Sequence, residues 1–545
     1  MGFLDKERTI AGPGFNRWLV PPAALAIHLC IGMAYGFSVF WLPLSKAVGI
    51  KESVVCAKDM SFFAEIFASN CDWKISMLGW IFTMFFVLLG TSAAIWGGWL
   101  EHVGPRKAGF VAAVCWCGGL LISALGVYQH QIWLIWLGSG LIGGVGLGLG
   151  YISPVSTLIK WFPDRRGMAT GMAIMGFGGG ALIGSPLADK LMKHFASDVS
   201  VGVWQTFVVM ALIYFVFMMA GAFGYRIPPS GWKPAGWTPP VASSNAMITQ
   251  HHVHVSKVWG IPQFWLVWLV LCLNVSAGIG VIGMASPMLQ EMFGGHLLGV
   301  SAKFTELSIE QKSAIAAIAA GFTGLISLFN IGGRFVWATC SDYIGRKMTY
   351  VVFFVLGFVL YVSLPWSGAA GSVALFVAAV CLILSMYGGG FATVPAYLAD
   401  LFGTQMVGAI HGRLLTAWAT AGILGPVVVN YMREYQLSLG IPREAVYNTT
   451  MYILAGMLVV GLLCNLMIRP VAEKYFMTPE ELAREKQLAH EQASASGEAV
   501  LAPEVMATIG NGGNPAVLWA SWAAVIIPLV WGISITLQKS AVLFK

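Results

Sequence analysis

Arg334 stands inside an apolar stretch that carries no other charge between Ser313 and Ser341. It lies eight residues before Asp342, about 12 Å along a helix that rises about 1.5 Å per residue. In hydrocarbon such an arginine costs roughly 3 kcal/mol or more unless it faces water or an anion. Acids on the neighbouring apolar runs sit elsewhere: Glu101, Asp342 and Asp400 near one set of helix ends, and Asp189 near the opposite set. A guanidinium with no fixed acid presents a planar fork of donors to a carboxylate. The competing reading is an arginine satisfied by backbone carbonyls or by snorkelling to an interface.

The elements that must hold this arginine are membrane helices. Of the 545 residues, 57% are hydrophobic and 10% charged, with a mean hydropathy of +0.76, values that a domain with a solvated surface does not carry. Apolar runs able to cross a core of about 30 Å fall at 18–44, 76–100, 108–128, 132–160, 168–192, 203–225, 263–290, 313–340, 348–366, 371–400, 413–432, 447–469 and 515–537. They predict an all-α polytopic membrane protein with twelve helices in two sixes and a thirteenth at the C-terminus. Internal Gly and Pro predict tilted, bent or broken helices. The leading MGFLDKERTIAGPGFNRW has neither a small-residue cleavage site nor a Ser or Thr at position six, so the first run is expected to be retained as a span.

The second six repeats the first at an offset of 241 residues: Glu101 and Asp342, Gly104 and Gly345, Gly148 and Gly389, Pro154 and Pro395, Gly167 and Gly408, Gly171 and Gly412, Gly184 and Gly425. Glycine and proline govern close approach and helix breaks, so the repeat preserves architecture. Static tight packing explains these glycines as well as sliding helices do. The repeat fails at certain positions: Arg334 falls opposite Ala93, Tyr387 opposite Gly146, Phe391 opposite Gly150, Trp418 opposite Phe177, Tyr35 opposite Ser276 and Tyr151 opposite Ala392.

Basic residues in the connections, among them Arg106, Lys107, Lys160, Arg165, Arg166, Arg346 and Lys347, predict a cytoplasmic N-terminus. The net charge of +7 then expresses topology, and no nucleic-acid partner is expected. The expected organisation is an N-terminal bundle over 1–225, a Pro- and Gly-rich cytoplasmic linker over 226–262, a C-terminal bundle over 263–470, a cytoplasmic tail over 471–514 and the extra helix over 515–545. His251, His252 and His254 lack Cys or acidic companions, so no metal is expected. Cys56 and Cys71 share the long outer loop, where a disulfide and two free thiols both remain open. No GxxxxGK[ST] loop or nucleotide-binding domain is present, which argues against an ATP-driven pump. His28 is the other titratable residue near these helices.

GGWLEHVGPRK and ATCSDYIGRK resemble the Gly-x3-Asp-x2-Gly-Arg-Arg/Lys loop of the major facilitator superfamily. The resemblance implies its fold, two six-helix bundles with pseudo-twofold symmetry, and a conformational latch at Glu101, Gly104, Arg106, Asp342, Gly345, Arg346 and Lys347. The first copy departs in carrying Glu101 for Asp and Pro105 for the first basic residue. Topogenic charge alone is the alternative reading. GLGYISPVSTLIKWFPDRRGMATGMAIMGFGGG, FNIGGR and YGGGFATVPAYLADLFGT through HGRLLTAWATAGILGP resemble the oxalate/formate antiporter family, which includes monocarboxylate transporters.

That narrower resemblance implies that Arg334 holds the substrate carboxylate and that Tyr35, Tyr151, Phe177, Tyr387, Phe391 and Trp418 line the cavity. It also implies that Trp418 occupies the place of a Lys found in oxalate carriers. Arg413, five residues before Trp418 and about 7.5 Å along the helix, is placed where it could supply a second charge in an inward-facing state. The extra helix and the enlarged outer loop depart from the family. The expected protein is a monomeric secondary active transporter of small organic anions in a bacterial inner membrane, coupled to a proton or an exchanged anion. It would prefer monocarboxylates, use no cofactor and not be an enzyme. The alternatives are an oxalate:formate exchanger and a non-transporting anion sensor.

Overall fold

The computed structural model describes residues 2–50, 53–57, 60–229, 232–234, 236, 247–403, 405–485, 487, 508–510 and 512–544. Membrane-length helices dominate it: α1 (Arg17–Leu44), α2 (Ile75–Val103), α3 (Pro105–Tyr128), α4 (Ile132–Trp161), α5 (Arg166–Phe195), α6 (Val203–Gly224), α7 (Pro262–Phe293), α8 (Ile309–Ile344), α9 (Arg346–Ala369), α10 (Val373–Phe402), α11 (Val407–Ser438), α12 (Asn448–Met467) and α13 (Pro515–Ser540). Among the described residues twelve of these are long and apolar enough to cross a membrane. The remaining one, α5, is 30 residues long and carries charge at its end, including Lys193, and it completes the first six. The two termini of the linker and the tail share one face. Ile10 pairs with Ile227, Asn16 with Gly510 and Val253 with Phe476. We call this the linker face and the opposite side, which carries the Cys56 and Cys71 loop, the loop face.

Several helices are irregular, as their Gly content predicts. The backbone of α1 tightens into a 3₁₀ turn over Gly32–Phe40, and α4 widens over Trp136–Gly143, places where close neighbours displace the regular ladder. A Cβ on Gly180 would collide with the backbone of Gly32, so α1 and α5 meet backbone to backbone. The internal repeat is visible at the loops after α2 and α8: Gly104 (φ 84°) and Gly345 (φ 85°) each end one helix and begin the next in the same positive-φ conformation. Glycine alone enters that region without strain.

The halves are joined at mid-depth and towards the loop face. Trp41 Nε1 donates to the Gly283 carbonyl at 2.9 Å, Trp80 Nε1 to the Tyr431 hydroxyl at 2.9 Å, and the Ser76 amide to Glu434 Oε1 at 3.1 Å. Ser327 Oγ donates to the Gly178 carbonyl, joining α8 to α5. On the linker face, Arg17 bonds Asp164 within the first half, while Thr249 and Arg413 tie the linker to the second. The structure is therefore closed on the loop face.

The outer loop after α1 is organised by Asp72, whose carboxylate accepts from the amides of Val48 (2.7 Å), Gly49 (3.1 Å) and Val54 (2.8 Å). Cys56 and Cys71 are joined as a disulfide beside it. His130, in the turn between α3 and α4, stacks on Trp73 with ring centroids 3.9 Å apart and places Nε2 2.8 Å from the Cys71 carbonyl. Burial lowers the His130 pKa from its ordinary value, against smaller opposing effects from the Cys71 carbonyl and Asp72. The folded loop thus favours neutral imidazole. Its contribution is complete above about pH 6.5, the unfolded value, and is lost as pH falls below that towards the depressed folded value. Hydrogen exchange over 48–57 and 68–73, corrected for intrinsic rates, should be faster at pH 5.5 than at pH 7.5. In His130→Asn, which tolerates the same positive φ, that difference should disappear.

Candidate anion-binding site

The middle of the molecule is lined from six helices. α1 supplies Tyr35, α4 supplies Tyr151, α5 supplies Phe177, α8 supplies Arg334, α10 supplies Tyr387 and Phe391, and α11 supplies Trp418; all are buried. The structure brings all seven into one cluster. Tyr35 and Tyr387 share a hydrogen bond of 2.8 Å across the two halves. Trp418 packs against Phe391 at 4.4 Å, Tyr151 at 5.2 Å and Phe177 at 5.7 Å between centroids, and Tyr35 against Phe177 at 4.9 Å. Edge-to-face contacts of this kind each add about 0.5–1.5 kcal/mol beyond area burial. They form a closed aromatic cage.

Arg334 is 1% exposed and its guanidinium lies 5.7 Å from the centre of the Phe391 ring. Its Nε donates to Asn330 Oδ1 at 3.2 Å, one turn back on α8. Among the described residues neither terminal nitrogen, Nη1 or Nη2, meets an acceptor in hydrogen-bonding geometry, and neither do Asn330 Nδ2 or Trp418 Nε1 nearby. Each buried unsatisfied donor costs about 1–3 kcal/mol, more when charged. A Cβ on Gly178 would lie 3.1 Å from Arg334 Nε, so a glycine on α5 gives the guanidinium its room. A small cavity towards the loop face is lined by Tyr35, Asn330, Ser327, Thr323, Ile282 and Leu384. The set offers donors, one fixed positive charge and aromatic walls, a combination that takes a compact anion.

Sequence reasoning overlooked Asn330, although FNIGGR contains it one turn from Arg334, and Phe86 of α2, which packs on Tyr35 and Trp418. It also overlooked Glu291, which is fully buried near the loop-face end of α7. Glu291 pairs with Arg433 and Arg443 and accepts from the Tyr447 hydroxyl at 2.7 Å. His28 is buried with Nε2 3.1 Å from the Tyr151 carbonyl and its ring stacked on Tyr151. Arg413 does not join the site: it donates to the Val255 carbonyl and lies over Trp259, held by the linker.

The latch residues sit at the linker face. Arg346 pairs with Asp342, and its Nε lies 3.8 Å from Asp400 Oδ2. Lys347 donates to the carbonyls of Leu466 (2.9 Å) and Ile468 (2.7 Å). In the first copy Arg106 donates to the Phe3 carbonyl at 3.2 Å. The side chain of Glu101 lies outside the described residues. Among the described residues these contacts all stay within one half.

Two helical bundles that meet at a buried, charged, aromatic-walled centre define a multi-pass membrane transporter. The chain belongs to the Major Facilitator Superfamily, whose sequence model matches residues 24–426. It is 27% identical over 416 residues, 75% of this chain and 83% of the relative, to the oxalate:formate antiporter of Oxalobacter formigenes. It is 25% identical over 443 residues, 71% of this chain and 78% of the relative, to apicoplast pyruvate carrier 1 of Toxoplasma gondii. Among solved structures, a partially occluded inward open conformation of the xylose transporter XylE from E. coli superposes with a TM-score of 0.55 at 13% identity, covering 83% of this chain and 99% of that one. The last likeness shows the fold alone.

Asn330→Asp supplies Arg334 with an internal carboxylate at hydrogen-bonding distance. A charge-assisted bond of this type is worth about 1.5–3 kcal/mol. The variant should melt several degrees higher than wild type without ligand and lose the stabilisation that small carboxylates give wild type. Thermal shift with and without carboxylate checks both halves of that expectation.

Proposed function

We propose that this transporter carries small monocarboxylates of the formate, lactate or pyruvate type by secondary active, alternating access. The supporting observation is the Arg334 guanidinium, buried with two donors unfilled. One such cation neutralises one carboxylate. A dianion would retain about one uncompensated charge in a poorly solvated cage, at a cost of several kcal/mol. Trp418, at the place where the family resemblance puts a Lys in oxalate carriers, offers a neutral N–H, and Arg413 is engaged by the linker. The printed functions of the relatives, oxalate:formate antiport and pyruvate carriage, belong to the same substrate class. Proton coupling would place the proton on the substrate or on His28, whereas exchange with a second anion needs no titrating residue. The basic connections support a cytoplasmic linker face, in a bacterial inner membrane.

In reconstituted vesicles Arg334→Ala should reduce uptake to background while the protein still inserts. Arg334→Lys should lose at least tenfold, because a point ammonium cannot reproduce the planar fork. Near-normal uptake by Arg334→Ala would overturn the site, and carboxylate binding without flux in wild type would turn the reading into a sensor. In competition assays wild type should favour a monocarboxylate over oxalate, and Trp418→Lys should move that preference towards oxalate. Tight oxalate transport by wild type, unmoved by the substitution, refutes the charge argument.

A further inference from the structure

α13 stands outside the internal repeat, and its partners change along its length. Its linker-face end belongs to the first half. The Gly510 amide donates to the Phe15 carbonyl at 2.7 Å, the Arg17 amide to the Gly510 carbonyl at 3.0 Å, and Trp522 Nε1 to the Trp18 carbonyl at 3.1 Å. Val525 packs on Leu25 and Ala26 of α1. A Cβ on Gly532 would lie 2.8 Å from the Leu182 carbonyl of α5. At the loop-face end it reaches both halves. Lys539 Nζ pairs with Asp189 of α5 at 2.7 Å. On the other side, a Cβ on Gly321 of α8 would lie 2.6 Å from Lys539 Cβ, and one on Gly324 would collide with Thr536, which is wholly buried.

α13 therefore crosses the seam between α5 and α8 on the loop-face side of the mid-depth point where Ser327 Oγ bonds the Gly178 carbonyl, with Gly324 three residues from Ser327 along α8. We propose that it is a built-in brace that stabilises the loop-face-closed state and whose grip on Gly321 and Gly324 must release each time that face opens. The first half keeps the helix, since it holds it from Gly510 to Lys539. Among the described residues the second half meets it by close packing without a hydrogen bond or ion pair, so that contact is the one that separates. This rests on the alternating-access reading above. The two small residues on α8 give close van der Waals approach without a polar tie, a contact that can part and re-form. The Lys539 to Asp189 pair keeps the end of the helix over the seam, in position to clip again.

Gly324→Cys/Thr536→Cys tests the brace in the full-length chain, because a Cβ at 324 would lie 3.3 Å from Thr536 Cβ, close to the disulfide range of about 3.5–4.5 Å. Oxidation should form the cross-link, cut carboxylate uptake at least tenfold and slow hydrogen exchange at 75–81 and 430–437; reductant should restore both, with the single-cysteine variants as controls. Lys539→Gln should act in the opposite sense and speed exchange at those segments. The brace is overturned if the pair fails to cross-link, if the cross-linked protein transports at the wild-type rate, or if Lys539→Gln leaves exchange unchanged. Failure of the transporter reading shows separately, as wild-type vesicles without uptake, and the exchange measurements still decide the brace.

Discussion

An arginine held in the dry centre of a membrane protein without an acid to pair with dominates this structure. Hydrocarbon and aromatic walls cannot solvate a guanidinium, so the surroundings of Arg334 must supply either acceptors or room for one. Among the described residues they supply one acceptor, Asn330 Oδ1, and none in hydrogen-bonding geometry for the two terminal nitrogens. The rest follows from that choice. Gly178 is a glycine because the guanidinium presses against α5. Phe391 and Trp418 give it aromatic faces in place of water, and the Tyr35 to Tyr387 bond closes the cage across the two halves.

Glu291 shows the opposite solution to the same problem. It is buried as deeply, yet two arginines and a tyrosine saturate it. A saturated buried pair resists removal of either partner and holds α7, α11 and the following loop together, which suits a scaffold. An unsaturated cation suits a site. The contrast between Arg433 and Arg334, both buried arginines of the second half, rests wholly on what faces them.

The closed loop face and the separate hydrogen-bond systems on the linker face fit one end state of the proposed alternating access. Polar contacts between the halves among the described residues are single hydrogen bonds from indoles, hydroxyls and an amide, worth about 0.5–1.5 kcal/mol each and about 1.5–3 kcal/mol where the Ser76 amide meets the Glu434 carboxylate. Such contacts can break and re-form within the few kcal/mol that separate alternate conformations. Ion pairs among the described residues, by comparison, lie inside one half, between the linker and the tail, or, at Lys539 and Asp189, between α13 and the first half. Among the described residues the ion pairs thus stay off the seam between the two halves, which is held by hydrogen bonds and packing.

Span number, the two-six organisation, the extra helix and the isolation of Arg334 were legible in the sequence, because hydrocarbon thickness sets run length and an uncompensated charge inside an apolar run is visible without coordinates. The equivalence of Gly104 and Gly345 was likewise readable from spacing, since only one residue type enters their backbone conformation freely. Tertiary structure alone decided which donors converge. Asn330 could have faced lipid, Arg413 could have reached the cage, and nothing in the sequence pairs Glu291 with Arg433. Arg413 finds its partner Val255 in the linker and Glu291 finds Arg433, each more than a hundred residues away in the chain. No local period records such pairings; they are set by how the helices pack. The same holds for α13, whose sequence states that it spans and whose packing across α5 and α8 states what it holds.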